Sequence, residues 1–224
     1  MALVPCAGSG ARAGTEQPKQ YQPLAGRLLV QHTLAALAAV ARISRVLVVL
    51  APGDAMLSAQ PGVETVPCGG ATRAESVFNG LAHLRDSGGA DTDWVLVHDA
   101  ARCLLTPALV DALIDHCLAA DEGGLLALPL PDTLKVEQGG RAVQTLAREG
   151  KWLAQTPQMF RLGPLHAALE AHVANGFEGI TDEASAMELA GQQPLLVRGS
   201  ALNLKVTYPE DFALAESILR SRAS

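Results

Sequence analysis

Apolar positions follow two rhythms along the first half of the chain. Residues 3–6 form a short apolar run that ends in glycines, and residues 45–51 (RVLVVLA) form an unbroken run stopped by Pro52-Gly53. Continuous β-branched runs suit strands buried on both faces of a parallel sheet. Residues 63–66, 94–98 (WVLVH) and 125–128 read the same way. Between these runs the apolar residues recur at helical spacing, over 30–41 and 74–84. A further helix begins with Thr106 as N-cap and Pro107 in its first turn and runs to about Ala120. Strands alternating with helices predict an α/β, Rossmann-like fold with a mainly parallel sheet flanked by helices.

The pattern changes at Asp132. Residues 132–158 are more polar and alternate, with Gly139-Gly140 as a turn between strands expected over 134–137 and 142–147. An extended polar hairpin has little core of its own, so it is expected to pack on a second subunit or over a site. Helices follow over 164–174 and 182–190, with strands over 195–198 and 203–206. A closing helix over 209–219 has Pro209 at its start and Glu210 and Asp211 in its first turn, where acids complement the dipole. The expectation is one domain over 1–224, with 132–158 as a β-arm within it.

Composition narrows the function. At 49% hydrophobic and 18% charged residues the chain is too apolar to be disordered. Seventeen Lys and Arg against 23 Asp and Glu give a net charge of −6, which argues against a broad basic face for nucleic acid. Aromatics are only 4%, so a bound base is expected to be held largely without stacked rings. The four cysteines form no C-x-x-C and have no zinc-ligand spacing, so they read as reduced thiols of a cytoplasmic protein. The apolar stretch after Met1 is too short for a signal peptide, and no window approaches the ~18 apolar residues of a membrane span.

The first candidate chemistry lies directly after the first strand, in Pro5-Cys6-Ala7-Gly8-Ser9-Gly10-Ala11-Arg12-Ala13-Gly14. Glycines there let backbone N–H groups approach phosphate oxygens. Gly8-x-Gly10-x-x-Ala13 matches the dinucleotide fingerprint, but the acid expected about 20 residues on is missing, and residues 27–32 are RLLVQH. No G-K-[ST] marks a P-loop. Arg12 and Lys19 instead bring positive charge to the loop, which suits a nucleoside triphosphate. A nucleotide-binding module without catalysis and an NAD(P)-dependent oxidoreductase are the readings from other classes.

Eight segments then fall in one order from end to end: P-x-A-G-x-G-x-R (5–12), P-K-Q-Y (18–21), G-G-x-x-R-A-x-S-V (69–77), V-L-V-H-D-A-A-R (95–102), D-T-L-K (132–135), T-P-Q-x-F (156–160), T-D-E-A-S-A (181–186) and K-V-T-x-P-E-D (205–211). In these the chain resembles the 2-C-methyl-D-erythritol 4-phosphate cytidylyltransferase family of the non-mevalonate isoprenoid pathway. Ribitol 5-phosphate cytidylyltransferases share most of these segments and are the alternative.

The resemblance implies transfer of CMP from CTP, with Mg²⁺ as the divalent cofactor. Pro5, Ala7, Gly8 and Gly10 would line the triphosphate, and Arg12 and Lys19 would be the catalytic cations around the α-phosphorus. Gly70, Arg73 and Ser76 would hold cytosine and ribose, with Asp99 and Ala100 beside them. Asp99, Arg102, Thr181 and Lys205 would meet the polyol phosphate. Thr133 and Arg148 would reach the partner subunit's site from the arm of a homodimer. No direct protein metal ligand is implied: Mg²⁺ would ride on the CTP phosphates, with Asp99 orienting it through water. His98 reads as structural, and Thr156 as a residue fixing the base of the arm. The chain departs from the family at Ala71, Cys103 and Ala147, where an acid, a proline and an acid are usual; the first bears on base selectivity and the last on an ion pair supporting Arg148.

Overall fold

The computed structural model describes residues 1–8, 14 and 17–223. Gly10 and Arg12, both expected at the triphosphate, lie outside the described residues. The main sheet contains β1 (Ala2–Pro5), β4 (Val46–Val49), β5 (Val63–Val66), β6 (Trp94–Val97), β7 (Gly124–Pro129), β10 (Trp152–Arg161) and β11 (Leu195–Arg198), with β2 (Pro23–Leu24), β3 (Arg27–Leu28), β8 (Leu134–Gln138) and β9 (Arg141–Leu146) outside it in two small antiparallel pairs. Its strand order is β11-β7-β10-β6-β1-β4-β5. Every neighbouring pair is parallel except those of β10, which runs antiparallel to both β6 and β7.

The strands alternate between two cores, as side-chain geometry requires. Val4, Val48 and Leu96 join one apolar cluster with α1 (Leu29–Ala38) and α3 (Pro107–Ala120). Leu3, Leu47 and Val97 join the other, with α2 (Arg73–Asp86), α4 (Leu162–Glu170) and α5 (Glu183–Leu189). Helix α2 lies close on the sheet because Gly80 has no side chain; a Cβ there would stand 2.6 Å from Val49 and 2.7 Å from Leu3. A third, smaller cluster joins Leu24, Leu104 and Cys103 to α6 (Pro209–Ala223). No described helix is long and apolar enough to cross a membrane.

Three expectations need correction. Residues 152–158, counted with the arm on the sequence, belong to β10 at the centre of the sheet; the separate hairpin is β8 with β9 alone. Gln155, Thr156, Pro157 and Gln158 hid this strand by breaking its apolar pattern, yet residues 155–160 are all buried. Residues 203–206 form no strand: the Asn203 N–H closes a local turn on the Ser200 carbonyl, and the Val206 N–H to the Ala101 carbonyl is one long-range bond where a ladder would need several. Helix α5, expected from residue 182, starts at Glu183, because Asp182 is its N-cap and its side chain accepts the Ser185 N–H.

Candidate active site

A cleft of about 590 Å³ opens at the carboxyl ends of β1 and β6, where open α/β sheets place their ligands. Residues 5–8, 19–20, 70–73, 76, 99–101 and 205 line it. Ten expected site residues therefore meet in one place: Pro5, Ala7, Gly8, Lys19, Gly70, Arg73, Ser76, Asp99, Ala100 and Lys205.

Residues 5–8 continue β1 and are tied down by Gln20. Its Nε2 donates to the Cys6 carbonyl at 3.1 Å and the Gly8 carbonyl at 2.8 Å. Gln20 is buried, and its role went unnoticed between the more conspicuous Lys19 and Tyr21. Lys19 lines the same wall, with Nζ donating to the Val206 carbonyl at 2.7 Å. The opposite wall is the turn before α2. Gly69 lets this turn approach residues 5–8, because a Cβ there would lie 2.3 Å from that of Ala7 and 2.8 Å from the Leu50 carbonyl oxygen. Ser76 shapes the turn from inside: its Oγ donates to the Thr72 carbonyl and accepts the Gly70 N–H. Glu75 accepts the Ala71 N–H at 2.6 Å. The N–H groups of Gly70 and Ala71 are thus engaged in the turn's own shape.

The floor is charged. Asp99 follows β6 and is buried. Arg73 Nε lies 2.8 Å from one of its oxygens, Lys205 Nζ 2.8 Å from the other, and Arg102 Nε 3.7 Å from the latter. Burial alone would raise the Asp99 carboxyl, but the charges of Arg73, Lys205 and Arg102 outweigh it and hold the group well below the usual carboxylate range. Arg73 also makes a paired contact with Glu183, at 2.7 and 3.1 Å. Burial works against its guanidinium charge, and Glu183 with Asp99 more than restores it. Glu183 is buried, with its carboxyl raised by burial against the pull of Arg73. Sequence reading missed it; an acid in the first turn of a helix is ordinarily read as a dipole partner.

Arg102 lies just behind the cleft wall, donating to the Asn203 carbonyl at 2.8 Å. Burial lowers its guanidinium, and Arg73 adds to this. His98 is fully buried, and burial pushes its imidazole down to about 4. The remaining expected residues are not in the cleft lining. Thr133 is exposed beside the hairpin, Arg148 donates back to the Pro131 carbonyl, and Thr181 is exposed just before the cap of α5. Among the described residues no three His, Cys, Asp or Glu side chains form a metal cage. Among the described residues, Asp99 is the one carboxylate that lines the cleft.

Comparison with known proteins agrees with this geometry over nearly the whole chain. The IspD family, 2-C-methyl-D-erythritol 4-phosphate cytidylyltransferase, matches residues 1–221. The 2-C-methyl-D-erythritol 4-phosphate cytidylyltransferase of Laribacter hongkongensis is 54% identical over 225 residues, covering 98% of this chain and 95% of the relative. The bifunctional enzyme IspD/IspF of Albidiferax ferrireducens is 59% identical over 227 residues; it spans all of this chain, which in turn covers 53% of that longer protein. A crystal structure of 4-diphosphocytidyl-2C-methyl-D-erythritol synthase superposes with a TM-score of 0.86 at 40% identity, covering 97% of both chains. That of the Francisella tularensis enzyme gives 0.85 at 32% identity, over 96% of this chain and 97% of that one. The chain belongs to the 2-C-methyl-D-erythritol 4-phosphate cytidylyltransferase family.

Proposed function

We propose that this protein transfers CMP from CTP to 2-C-methyl-D-erythritol 4-phosphate, giving 4-diphosphocytidyl-2-C-methyl-D-erythritol and pyrophosphate for isoprenoid synthesis. The observation that carries the reading is the gathering of Arg73, Arg102 and Lys205 around the buried Asp99 carboxylate, with Lys19 lining the same cleft beside residues 5–8. Two polyanions must meet for this reaction. A phosphate oxygen of the polyol attacks the α-phosphorus in line, and the bond to the pyrophosphate oxygen breaks. No covalent intermediate is needed, because preorganised charge can stabilise the transition state directly.

In this reading Ala7, Gly8 and Gly10 hold the triphosphate through the main chain, and Arg12 and Lys19 face the reacting phosphate. Carbonyls of the residue 7 and residue 70 loops would accept the cytosine amino group, since the N–H groups of Gly70 and Ala71 are engaged by Ser76 and Glu75. Arg102 and Lys205 take the polyol phosphate, exchanging Asp99 for it, while Asp99 turns to the hydroxyls. The Thr181 hydroxyl adds a further contact. Thr133 and Arg148 serve the partner subunit's site in a homodimer, and the enzyme works in the cytoplasm. Mg²⁺ would be carried on the triphosphate, and Asp99, whose carboxylate lines the cleft and is held ionised by its cations, would orient it through water. When bound it would neutralise phosphate charge.

Pyrophosphate release from CTP tests the reading. Methylerythritol phosphate is expected to support release far better than ribitol 5-phosphate, and no release with either acceptor would leave a binding module. Lys19→Ala is expected to lower turnover by about a hundredfold while the fold survives, as for loss of other preorganised electrostatic groups. Near-normal turnover would remove Lys19 from the catalytic role.

A further inference from the structure

Residues 99–102 leave β6 and turn across the floor of the cleft, and the structure secures this turn at each step. The Asp99 N–H donates to Thr156 Oγ1 at 3.0 Å. The Arg102 N–H closes on the Asp99 carbonyl at 3.0 Å. The Thr33 hydroxyl donates to the Ala100 carbonyl at 3.0 Å, and the Val206 N–H to the Ala101 carbonyl at 2.9 Å. The last carbonyl, that of Arg102, meets His98 Nε2 at 3.2 Å and the Leu105 N–H at 3.3 Å. His98 Nδ1 in turn lies 3.0 Å from Thr156 Oγ1.

Elementary chemistry sets the direction of these bonds. A carbonyl oxygen only accepts, so Nε2 carries the ring proton. A neutral imidazole has one N–H, so Nδ1 accepts, and the Thr156 hydroxyl is its donor. With its proton directed there, Thr156 Oγ1 is the acceptor for the Asp99 N–H. One chain of bonds therefore runs from the Asp99 N–H through Thr156 and His98 to the Arg102 carbonyl, bracing both ends of the turn against β10. Thr156 reaches it from an irregularity in that strand, where the register with β7 shifts between Ala154 and Gln158; such departures re-aim side chains beside active sites. A second brace joins the same residues, because Asn203 donates to the Thr156 carbonyl at 2.9 Å and accepts from Arg102 at its own carbonyl.

We propose that His98 is a positioning residue: as the Nε2–H tautomer it bridges Thr156 and the Arg102 carbonyl, and so fixes the turn that presents Asp99 and Arg102 to the polyol phosphate. The consequence for catalysis rests on the functional reading above; the tautomer does not. A ring held only for its bulk would need neither a particular tautomer nor a partner on each side.

Two measurements test this. In the native protein, nitrogen-15 spectra of labelled histidine at pH 7 should show His98 neutral with the proton on Nε2. A neutral Nδ1–H ring or an imidazolium would overturn the proposal, whatever the enzyme does with its substrates. In kinetics, His98→Leu should lower kcat/KM for methylerythritol phosphate by about ten- to a hundredfold, as expected for loss of one or two buried hydrogen bonds. The KM for the polyol phosphate should rise more than that for CTP. His98→Gln keeps one donor and one acceptor and should recover most of the loss. Equal losses in the Gln and Leu variants, or losses falling equally on both substrates, would make His98 a packing residue. If His98→Leu does not fold, His98→Gln and the native spectrum still decide. Wild-type protein inactive toward methylerythritol phosphate would overturn the functional reading instead.

Discussion

Asp99 and Arg148 are both assigned to the polyol phosphate, yet the protein holds them in opposite ways. Asp99 is buried among Arg73, Lys205 and Arg102, on a turn whose backbone groups are bonded to β10, to α1 and to residue 206. Arg148 follows a two-stranded hairpin whose side chains are mostly exposed, with Val143 54% exposed. A buried charge without a partner costs far more than an exposed one, so the cleft can keep its charges only as a closed network. The hairpin has no such constraint, and no core of its own to order it. The cleft is preorganised by its own chain. Under the proposed crossed arm, the hairpin would find its use at a partner's site.

The sharpest way to break this contrast is through Arg73. Arg73→Met would leave Glu183 buried without its partner and Asp99 with one cation fewer. Removing one side of a buried ion pair typically destabilises by about 3–5 kcal/mol. Denaturant unfolding should show a loss of that size, and Arg73→Met with Glu183→Gln should regain much of it, because the stranded charge is then gone. A loss below about 1 kcal/mol would put the Arg73 network in the class of surface salt bridges.

The next effect is acid sensitivity. The His98 ring ordinarily titrates near 6.5 and is pushed down to about 4, first by burial, with Arg102 and Arg73 adding to it and Asp99 opposing. Between these values the unfolded chain binds a proton that the folded chain refuses, so stability falls as the pH drops through that window. The full span corresponds to about 3 kcal/mol. Asp99 acts mainly below this window: the unfolded chain protonates it around its ordinary 3.8 while the folded carboxyl stays ionised, so its share of stability is lost as pH falls further. Glu183 has the opposite sign: its raised carboxyl favours folding less as pH rises above its ordinary 4.5. The difference between wild type and His98→Gln isolates the imidazole. That difference should shrink toward acid by about 3 kcal/mol, and a difference independent of pH would mean that His98 is not held neutral.

The same contrast explains which features could be read in the sequence. Runs such as 46–49 announce themselves because both faces of the sheet are apolar, and Leu47 and Val48 sit in different cores. Thr106 was legible as a cap because capping is local, and its side chain does accept the Leu109 N–H. β10 was not, because its central residues are polar and owe their burial to distant partners: Gln158 bonds Asp182, and Thr156 bonds Asp99 and His98. Glu183 was hidden for a similar reason, since its partner Arg73 lies 110 residues away. Of the cleft's cations, Lys19 was read from the glycine loop and Arg73, Arg102 and Lys205 through the resemblance, but their arrangement about Asp99 was not. Residue spacing carries local geometry, and closed charge networks are built from contacts that spacing does not record.

The smallest stability effect should come from the hairpin, where it separates fold from function. Val143→Thr changes an exposed position on β9, and substitutions of this kind usually alter stability by less than about 0.5 kcal/mol. Arg148→Ala should be equally quiet in unfolding, because an exposed arginine bonded to one carbonyl contributes little. If the hairpin serves a neighbouring subunit's site, Arg148→Ala will nonetheless lower kcat/KM for methylerythritol phosphate by about tenfold or more, the loss expected for one charge-assisted hydrogen bond to phosphate. Mixing Arg148→Ala with Lys19→Ala protein should then restore activity, since a mixed dimer pairs an intact arm with an intact cleft. Full activity of the wild type as a demonstrated monomer, or no recovery on mixing, would confine each site to a single chain and leave the hairpin without a catalytic role.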